Sequence, residues 1–583
     1  MLKCRGKAVV LMGFFEYAWA ISLQKDNLLT KIQIDPNVKL PSLTLDKTGF
    51  TATIPEPLVL PDGTISFLGF NLPSDASGKI MAGRLFRASV VHLTAHTLMP
   101  DYHSRMKKLK RRSVAEVFSE SIIDDIYVNA YTASHAKDKL ADLGFANSVA
   151  FLRMKPTARI YNQSTRLMTA LILQVNLGKH NANLEQEEAD LVNALSKVFD
   201  ELRESIFKSF TDERFRLAEV LDRAVDSTVS SLESRGPFVE IPALPHTEQR
   251  GPCKTFRGGQ LPPEHEVMKS FGDALTALGY AGTLENSLES FWTKETDAEI
   301  LQAFDSGFYL KVKEQKVLAK VIECLEGTRL RRALFPETDY TQYLRTRILL
   351  SGGTRRLLDS LRVAQDALDE DPGKEMGQLD LTAVIQVLAS GKPATDVFMK
   401  DEYLSRSFSW AVLLDSSASM RVKGELGRAL TICIAEATKE LLSDPSSWGL
   451  FAFNDNFYVL KDFSETYSSR VRARIGGLKF DGLSFLPDAV RVAGSILSKR
   501  YDEQRFLVVI SDGWPYGYSD IEVALRESIG DLEKRGVIVI GVGVETERMK
   551  QFFKLNSPIY DEKDLVRKFA RIYVDASASA LET

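Results

Sequence analysis

Three short polar clusters carry the oxygen chemistry of this chain. Asp415-Ser416-Ser417-Ala418-Ser419 follows the apolar run Trp410 to Leu414. Asp481-Gly482-Leu483-Ser484 comes next, and Ser511-Asp512-Gly513 ends a second apolar run, Phe506 to Ile510. Asp415, Ser417 and Ser419 present a carboxylate and two hydroxyls on alternate residues, hard oxygens of the kind Mg2+ prefers. Ser484 adds a hydroxyl and Asp512 a second carboxylate. For any one cluster the bland alternative is a turn whose Asp or Ser caps the next helix. Taken together, on elements that suit them, they predict one metal site for Mg2+, or another divalent cation such as Mn2+.

A second constellation lies far upstream. His92 and His96 are four residues apart, so both imidazoles fall on one helix face, and Asp124 and Asp125 follow on the next predicted helix. In zinc peptidases with this histidine spacing a Glu follows the first His and serves as general base. Here Leu93 stands in that position. Three readings stay open: core or interface histidines, a relic of a metallopeptidase-like N-terminal domain, and a working metal site.

Other signals weigh toward structure. Lys107-Lys108-Leu109-Lys110-Arg111-Arg112 is the densest basic run. It reads as a solvated helix face, with a patch for nucleic acid or an acidic partner as the alternative. Ser351-Gly352-Gly353-Thr354-Arg355 lacks the lysine and the preceding strand of a phosphate cradle and reads as a helix–helix turn. The chain has no GxxxxGKS/T loop. It is expected not to be an enzyme, so any ATP hydrolysis must come from a partner.

The elements that must position these residues follow from periodicity. The chain has 583 residues, of which 44% are hydrophobic and 26% charged, with net charge −4. That allows two to four domains and gives no general attraction to nucleic acid or anionic membrane. Residues 1–76 are expected to be β-rich, with a hairpin turning at Asp62-Gly63. Residues 77–236 read as a helical domain, 237–263 as a linker or long surface loop, and 264–406 as further helices with an approach segment. From 407 to 583, strands alternate with helices: Ser409–Asp415, Trp448–Asn454, Phe457–Asp462, Arg505–Ser511, Val537–Val544 and one near Ile559, with helices around Glu425–Leu442, Pro487–Lys499, Ile521–Arg535 and Glu547–Lys554. This pattern predicts an α/β domain, Rossmann-like, with a mostly parallel sheet and helices on both faces. The first 20 residues read as an unstructured or over-extended start, with a cleaved signal ending near Ala18-Trp19-Ala20 as the alternative. No later run is long enough to span a bilayer, and four dispersed cysteines suit a cytoplasmic setting.

The clusters at Asp415-x-Ser417-x-Ser419, Ser484 and Asp512-Gly513 resemble the metal-ion-dependent adhesion site (MIDAS) of von Willebrand factor A domains over about Phe408 to Ile572. The resemblance implies that Ser417, Ser419 and Ser484 bind Mg2+ directly, with Asp415 and Asp512 acting largely through waters. The family usually has Thr where Ser484 stands. Gly377 to Ile385, Ser511-Asp512-Gly513-Trp514-Pro515 and the helical N-terminal region resemble NorD and CbbO proteins. That narrower resemblance implies an adaptor for a MoxR-class AAA+ ATPase that remodels a target enzyme of the nitric oxide reductase or rubisco type. The target would present an Asp or Glu to the metal. A Ro-type RNA-binding protein shares the layout of helical and adhesion-site domains and is the alternative from another class.

Overall fold

A computed structural model describes residues 13–23, 30–46, 49–99, 102, 113–154, 160–180, 183–209, 215–235, 241–248, 259–280, 291–368, 371–374, 376, 378–400, 408–442, 444–502, 504–516 and 518–579. The basic run at Lys107 to Arg112 lies outside them. The chain divides into two compact units, Met1–Lys311 and Val312–Thr583.

The first unit begins with helix α1 (Phe14–Ile21). Strands β1 (Thr30–Asp35), β2 (Ser42–Leu45) and β3 (Phe50–Pro55) form one small sheet. Strands β4 (Leu58–Val59), β5 (Thr64–Phe67) and β6 (Phe70–Pro73) form a second, joined by β7 (Gly259–Gln260) from much later in the chain. Gly63 takes φ +77° in the β4–β5 turn, the left-handed region that the Asp-Gly pair supplies. Helices α2 (Ala76–His96), α3 (Val114–His135), α4 (Lys137–Arg153), α5 (Gln163–Leu177), α6 (Gln186–Ser209), α7 (Phe215–Glu233) and α8 (Glu264–Ala277) complete most of the unit.

α2 is the axis of this unit. It is buried without a break from Ala82 to His96, as a helix that is mostly small and apolar on every side must be. Asp75 caps it by accepting from the Gly78 amide at 2.8 Å. Its Arg87 is paired rather than exposed: Nε donates to both oxygens of buried Asp142 at 2.9 and 3.0 Å, and Nη1 to the Tyr17 hydroxyl at 3.0 Å. Trp292 donates to the same carboxylate at 2.8 Å. That network ties α1, α2 and α4 together, the arrangement a buried charge requires.

Two expectations for this unit are corrected. The start is not unstructured throughout: α1 packs Phe14, Tyr17 and Ala18 into the core, because seven of its eight residues are apolar or aromatic and five of them are buried. Residues 241–248, within the expected surface loop, have no helix or strand but are buried, with Ile241, Leu244, His246, Thr247 and Glu248 all below one-tenth exposure. Missing periodicity reported missing regular structure; it said nothing about burial.

The second unit is built on a seven-stranded sheet in the order β17 (Leu555–Ile559), β16 (Val537–Val544), β15 (Gln504–Ser511), β12 (Phe408–Asp415), β13 (Trp448–Phe453), β14 (Phe457–Lys461) and β8 (Ala333–Leu334). Before it come the helix α9 (Lys294–Leu325), inside which the division between units falls, strand β8 (Ala333–Leu334), and helices α10 (Tyr340–Leu349) and α11 (Ser351–Leu368). A small separate sheet, β9 (Asp371–Lys374), β10 (Gln378–Leu379) and β11 (Phe398–Lys400), carries helix α12 (Leu381–Ser390). Then follow β12 (Phe408–Asp415), α13 (Gly424–Leu441), β13 (Trp448–Phe453), β14 (Phe457–Lys461), α14 (Ser469–Gly476), α15 (Leu486–Ser498), β15 (Gln504–Ser511), α16 (Ile521–Glu533), β16 (Val537–Val544), β17 (Leu555–Ile559) and α17 (Ala570–Ser579).

β12 lies mid-sheet and pairs in parallel with both β13 and β15. Its Trp410, Val412 and Leu414 enter one core with α10, α11 and α13, while Ala411 and Leu413 enter another with α15 and α16. A strand buried on both faces reads as one continuous apolar run. Only β14 opposes its neighbour β13. The chain leaves β12 toward β13 on one side and later builds β15, β16 and β17 on the other. The two parallel strands β12 and β15 thus end side by side where the winding reverses, the crevice in which open α/β sheets hold ligands.

The unit starts well before 407, because the preceding segment supplies an edge strand and a buried ion pair. β8 pairs with β14, and Arg474 donates to Glu314 at 2.6 Å, to Glu465 at 3.0 Å and to the Leu460 carbonyl at 3.0 Å. The expected helix at Glu547–Lys554 is only a 3-10 turn, Arg548–Gln551. Ser351 to Arg355 form the first turn of α11, directly after α10.

Two glycine substitutions test this packing. At Gly476 a Cβ would lie 1.9 Å from the Asp339 carbonyl oxygen, whereas at Gly530 in α16 it would meet nothing within 4 Å. Gly476→Ala is expected to destabilise the second unit by about 1–3 kcal/mol, and Gly530→Ala to stabilise it by about 0.5–1 kcal/mol. Urea unfolding followed by tryptophan fluorescence checks both signs.

Candidate metal centre

The chemistry sits at the carboxyl ends of β12 and β15. Asp415 ends β12 and is fully buried. Its Oδ1 accepts from the Ser417 amide at 2.9 Å, and its Oδ2 from the Ser484 hydroxyl at 3.0 Å and the Ser511 hydroxyl at 2.7 Å. Ser417 and Ser419 hydroxyls are 3.0 Å apart, and Ser419 donates to Asp512 Oδ1 at 3.1 Å. The Trp514 amide donates to that same oxygen at 3.3 Å.

The loops are held to one another as well. Ala418 N donates to Gly482 O at 3.0 Å, Asp481 N to Ser416 O at 2.9 Å, and Tyr516 N to Ser484 O at 2.8 Å. Asn454 adds a brace by donating to the Asp481 carbonyl and carboxylate, both at 3.0 Å. Gly482 and Gly513 take φ +75° and +72°, which lets the backbone turn back within two residues of each cluster.

The structure brings all five residues singled out in the sequence to one edge. Ser417, Ser419, Ser484 and Asp512 line an open pocket of about 420 Å³, and Asp415 lies beneath them. Ser419 is exposed, whereas Ser417, Ser484 and Asp512 are buried. Lys423, Leu483, Trp514 and Tyr516 complete the rim. Trp514 and Tyr516 are half-exposed or more, and the Arg548 guanidinium stacks on the Trp514 ring.

Burial raises the Asp415 carboxyl to about 6, against the lowering effect of hydrogen bonds from Ser417 and Ser511. Burial likewise raises Asp512, with Ser419 and Lys423 pulling the other way. Two buried acids and three hydroxyls form an oxygen-only donor set, with Lys423 at its rim. That set fits a hard divalent ion.

Ser511 and Asn454 were not singled out from the sequence. Ser511 accepts from the Gly513 amide at 3.0 Å while donating to Asp415, so it couples the ends of β12 and β15. Its position just before Asp512 was visible; its partner, 96 residues away, was not. In the first unit, His92, His96 and Asp125 also come together, and Glu248 from the buried loop joins them. Asp124, one position earlier on the same helix, is not part of that group.

Among the described residues, no helix is long and apolar enough to cross a membrane. The family model of the von Willebrand factor type A domain matches residues 410–514. An uncharacterized protein of Pseudomonas aeruginosa is 24% identical over 216 residues, 33% of this chain and 34% of that protein. The chain thus spans about a third of the length of the curated relative it matches. Manganese-loaded TRAP of Plasmodium vivax aligns with 28% of this chain and 73% of its own at 14% identity and TM-score 0.23. The PilB minor pilin of Streptococcus sanguinis aligns with 32% and 64% at 13% identity and TM-score 0.24, and the pilus adhesin SpaC of Lactobacillus rhamnosus GG with 30% of each chain at 13% and 0.24.

Ser511→Ala is expected to lower the stability of the second unit by about 1–3 kcal/mol, because it strips a donor from a buried carboxylate. Ser419→Ala removes one donor from Asp512, which keeps the Trp514 amide and faces the pocket, so it is expected to cost less, about 1 kcal/mol or under. Denaturant titration of both variants separates the two roles.

The matched residues 410–514, with the parallel sheet that holds them, form a von Willebrand factor type A domain, a domain type that implies a metal-dependent protein-interaction module.

Proposed function

We propose that the chain is a non-enzymatic adaptor that binds protein partners through a divalent cation, Mg2+ or Mn2+. In this reading Ser417, Ser419 and Ser484 hold the ion directly and Asp415 and Asp512 hold it through waters. The reading rests above all on three hydroxyls and the Asp512 carboxylate lining one solvent-facing mouth, with the Asp415 carboxylate buried directly beneath them. An ion bound there supplies an unfilled coordination position for a carboxylate of another protein.

The chain's own groups do the rest. Neutral hydroxyls leave the ion's charge largely uncancelled, so a partner's Asp or Glu is attracted. Ser511, the Ser417 amide and Ser484 fix Asp415 in one orientation. Trp514 and Tyr516 offer aromatic area beside the mouth, where partner side chains gain most from desolvation.

By its resemblance to NorD and CbbO proteins, the partners are a MoxR-class AAA+ ATPase and the target enzyme it activates or remodels, in the cytoplasm, where ATP is at hand. The lack of a phosphate-cradling loop in this chain accords with ATP hydrolysis residing in the partner. A second contact surface is also available. α12 carries Leu381, Ile385 and Leu388 at 71%, 65% and 77% exposure, an apolar stripe of the kind that marks protein contacts.

Affinity capture with the full chain, in Mg2+ and in EDTA, tests the proposal. The ATPase and its target are expected to be retained in Mg2+, and lost in EDTA or with Ser419→Ala by at least tenfold, about 1.4 kcal/mol. Equal capture in EDTA and Mg2+ would show that no metal bridge is involved.

A further inference from the structure

The first unit holds a second, chemically different cluster. His92 and His96 lie one turn apart on α2, Asp125 is on α3, and Glu248 is on the buried loop 241–248. All four are buried, at 3%, 0%, 4% and 6% exposure. Their facing atoms are close together. His92 Nε2 lies 2.9 Å from His96 Nε2, 2.9 Å from Glu248 Oε2 and 3.4 Å from Asp125 Oδ1. His96 Nε2 lies 3.0 Å from Glu248 Oε2 and 3.7 Å from Asp125 Oδ1.

Protons alone satisfy this arrangement badly. Two imidazole nitrogens 2.9 Å apart cannot both carry hydrogens on the sides that face each other, so at least one offers a lone pair. A single dication between the four atoms, which all lie within 4.8 Å of one another, accepts a lone pair from each.

The size also fits. Zinc bonds to histidine nitrogen and carboxylate oxygen are about 2.0–2.2 Å, so the edges of a tetrahedral set are roughly 3.3–3.6 Å. The five edges given above span 2.9 to 3.7 Å.

We propose that His92, His96, Asp125 and Glu248 form a buried transition-metal site, with Zn2+ as the ion that suits two imidazoles and two carboxylates. Four protein ligands close the coordination sphere, which is the pattern of a structural rather than a catalytic zinc. Leu93, in place of a peptidase's glutamate, accords with that assignment. The ion staples the loop carrying Glu248 to α2 and α3, where Ile241 and Leu244 already anchor its apolar side. Tyr102 stacks on the His96 ring, 5.4 Å between centroids, and fixes its plane.

Metal analysis of the full chain, purified without a histidine tag, tests this. About one zinc per chain is expected, retained in Asp415→Ala and lost in a His92→Ala/His96→Ala double variant. Should that variant not fold, Glu248→Gln is expected to give up zinc to a chromophoric chelator at least tenfold more readily than the parent. Adding Zn2+ alone to chelator-stripped protein is expected to raise its melting temperature. A chain that is zinc-free as isolated and whose melting temperature Zn2+ leaves unchanged would overturn the proposal, as would zinc lost in Asp415→Ala but kept in the histidine variant.

Discussion

The second unit is organised around one fully buried carboxylate. Asp415 ends a strand buried on both faces, so its charge has to be met by donors from elsewhere in the chain. Those donors come from three places: its own turn through Ser417, the loop before α15 through Ser484, and the end of the neighbouring strand through Ser511. Each hydrogen bond is ordinary in strength. Their joint effect is to lock three loops into a fixed relation, since losing any one leaves a buried acid short of a partner. The pocket above Asp415 has its shape because the carboxylate below it must be satisfied.

The two oxygen-bearing clusters solve opposite problems. The one at the sheet edge keeps Ser419 and the aromatic rim in water and buries its acids only just beneath, an arrangement open to another molecule. The one among α2, α3 and the loop 241–248 is closed on every side and rich in imidazole nitrogen. Hard, open oxygen sites suit exchangeable ions, whereas mixed nitrogen and oxygen sites bind borderline ions tightly. Under the two proposals, the same chain holds two cation sites that differ in exchange and in role.

Much of this was legible in the sequence where a local pattern dictates a local structure. β12, β15 and β16 were readable because a strand buried on both faces needs an unbroken apolar run, and their boundaries agree with the pattern to within one residue. The residues of the sheet-edge site were readable because each sits at the end of such a run or just before a helix. What escaped notice depends on contacts between distant positions. Ser511 looks like any residue before an aspartate until Asp415 is beside it. Glu248 lies in a stretch rich in proline and glycine, with no periodicity to mark it, and only the folded chain puts it against two histidines more than 150 residues earlier. The turn at Arg548–Gln551 was overcounted as a helix because short apolar spacings fit both.

β8 has a consequence beyond its two residues. The segment that the family model matches, 410–514, contains neither β8 at one margin of the sheet nor β16 and β17 at the other. A fragment cut to those limits would keep β15, β12, β13 and β14 with both outer strands bare, and unpaired backbone of that kind recruits other chains. Arg474 would also lose Glu314 and the Phe335 ring that it covers. The stretch that the family model matches is thus shorter than the compact unit that contains it, which begins near Val312.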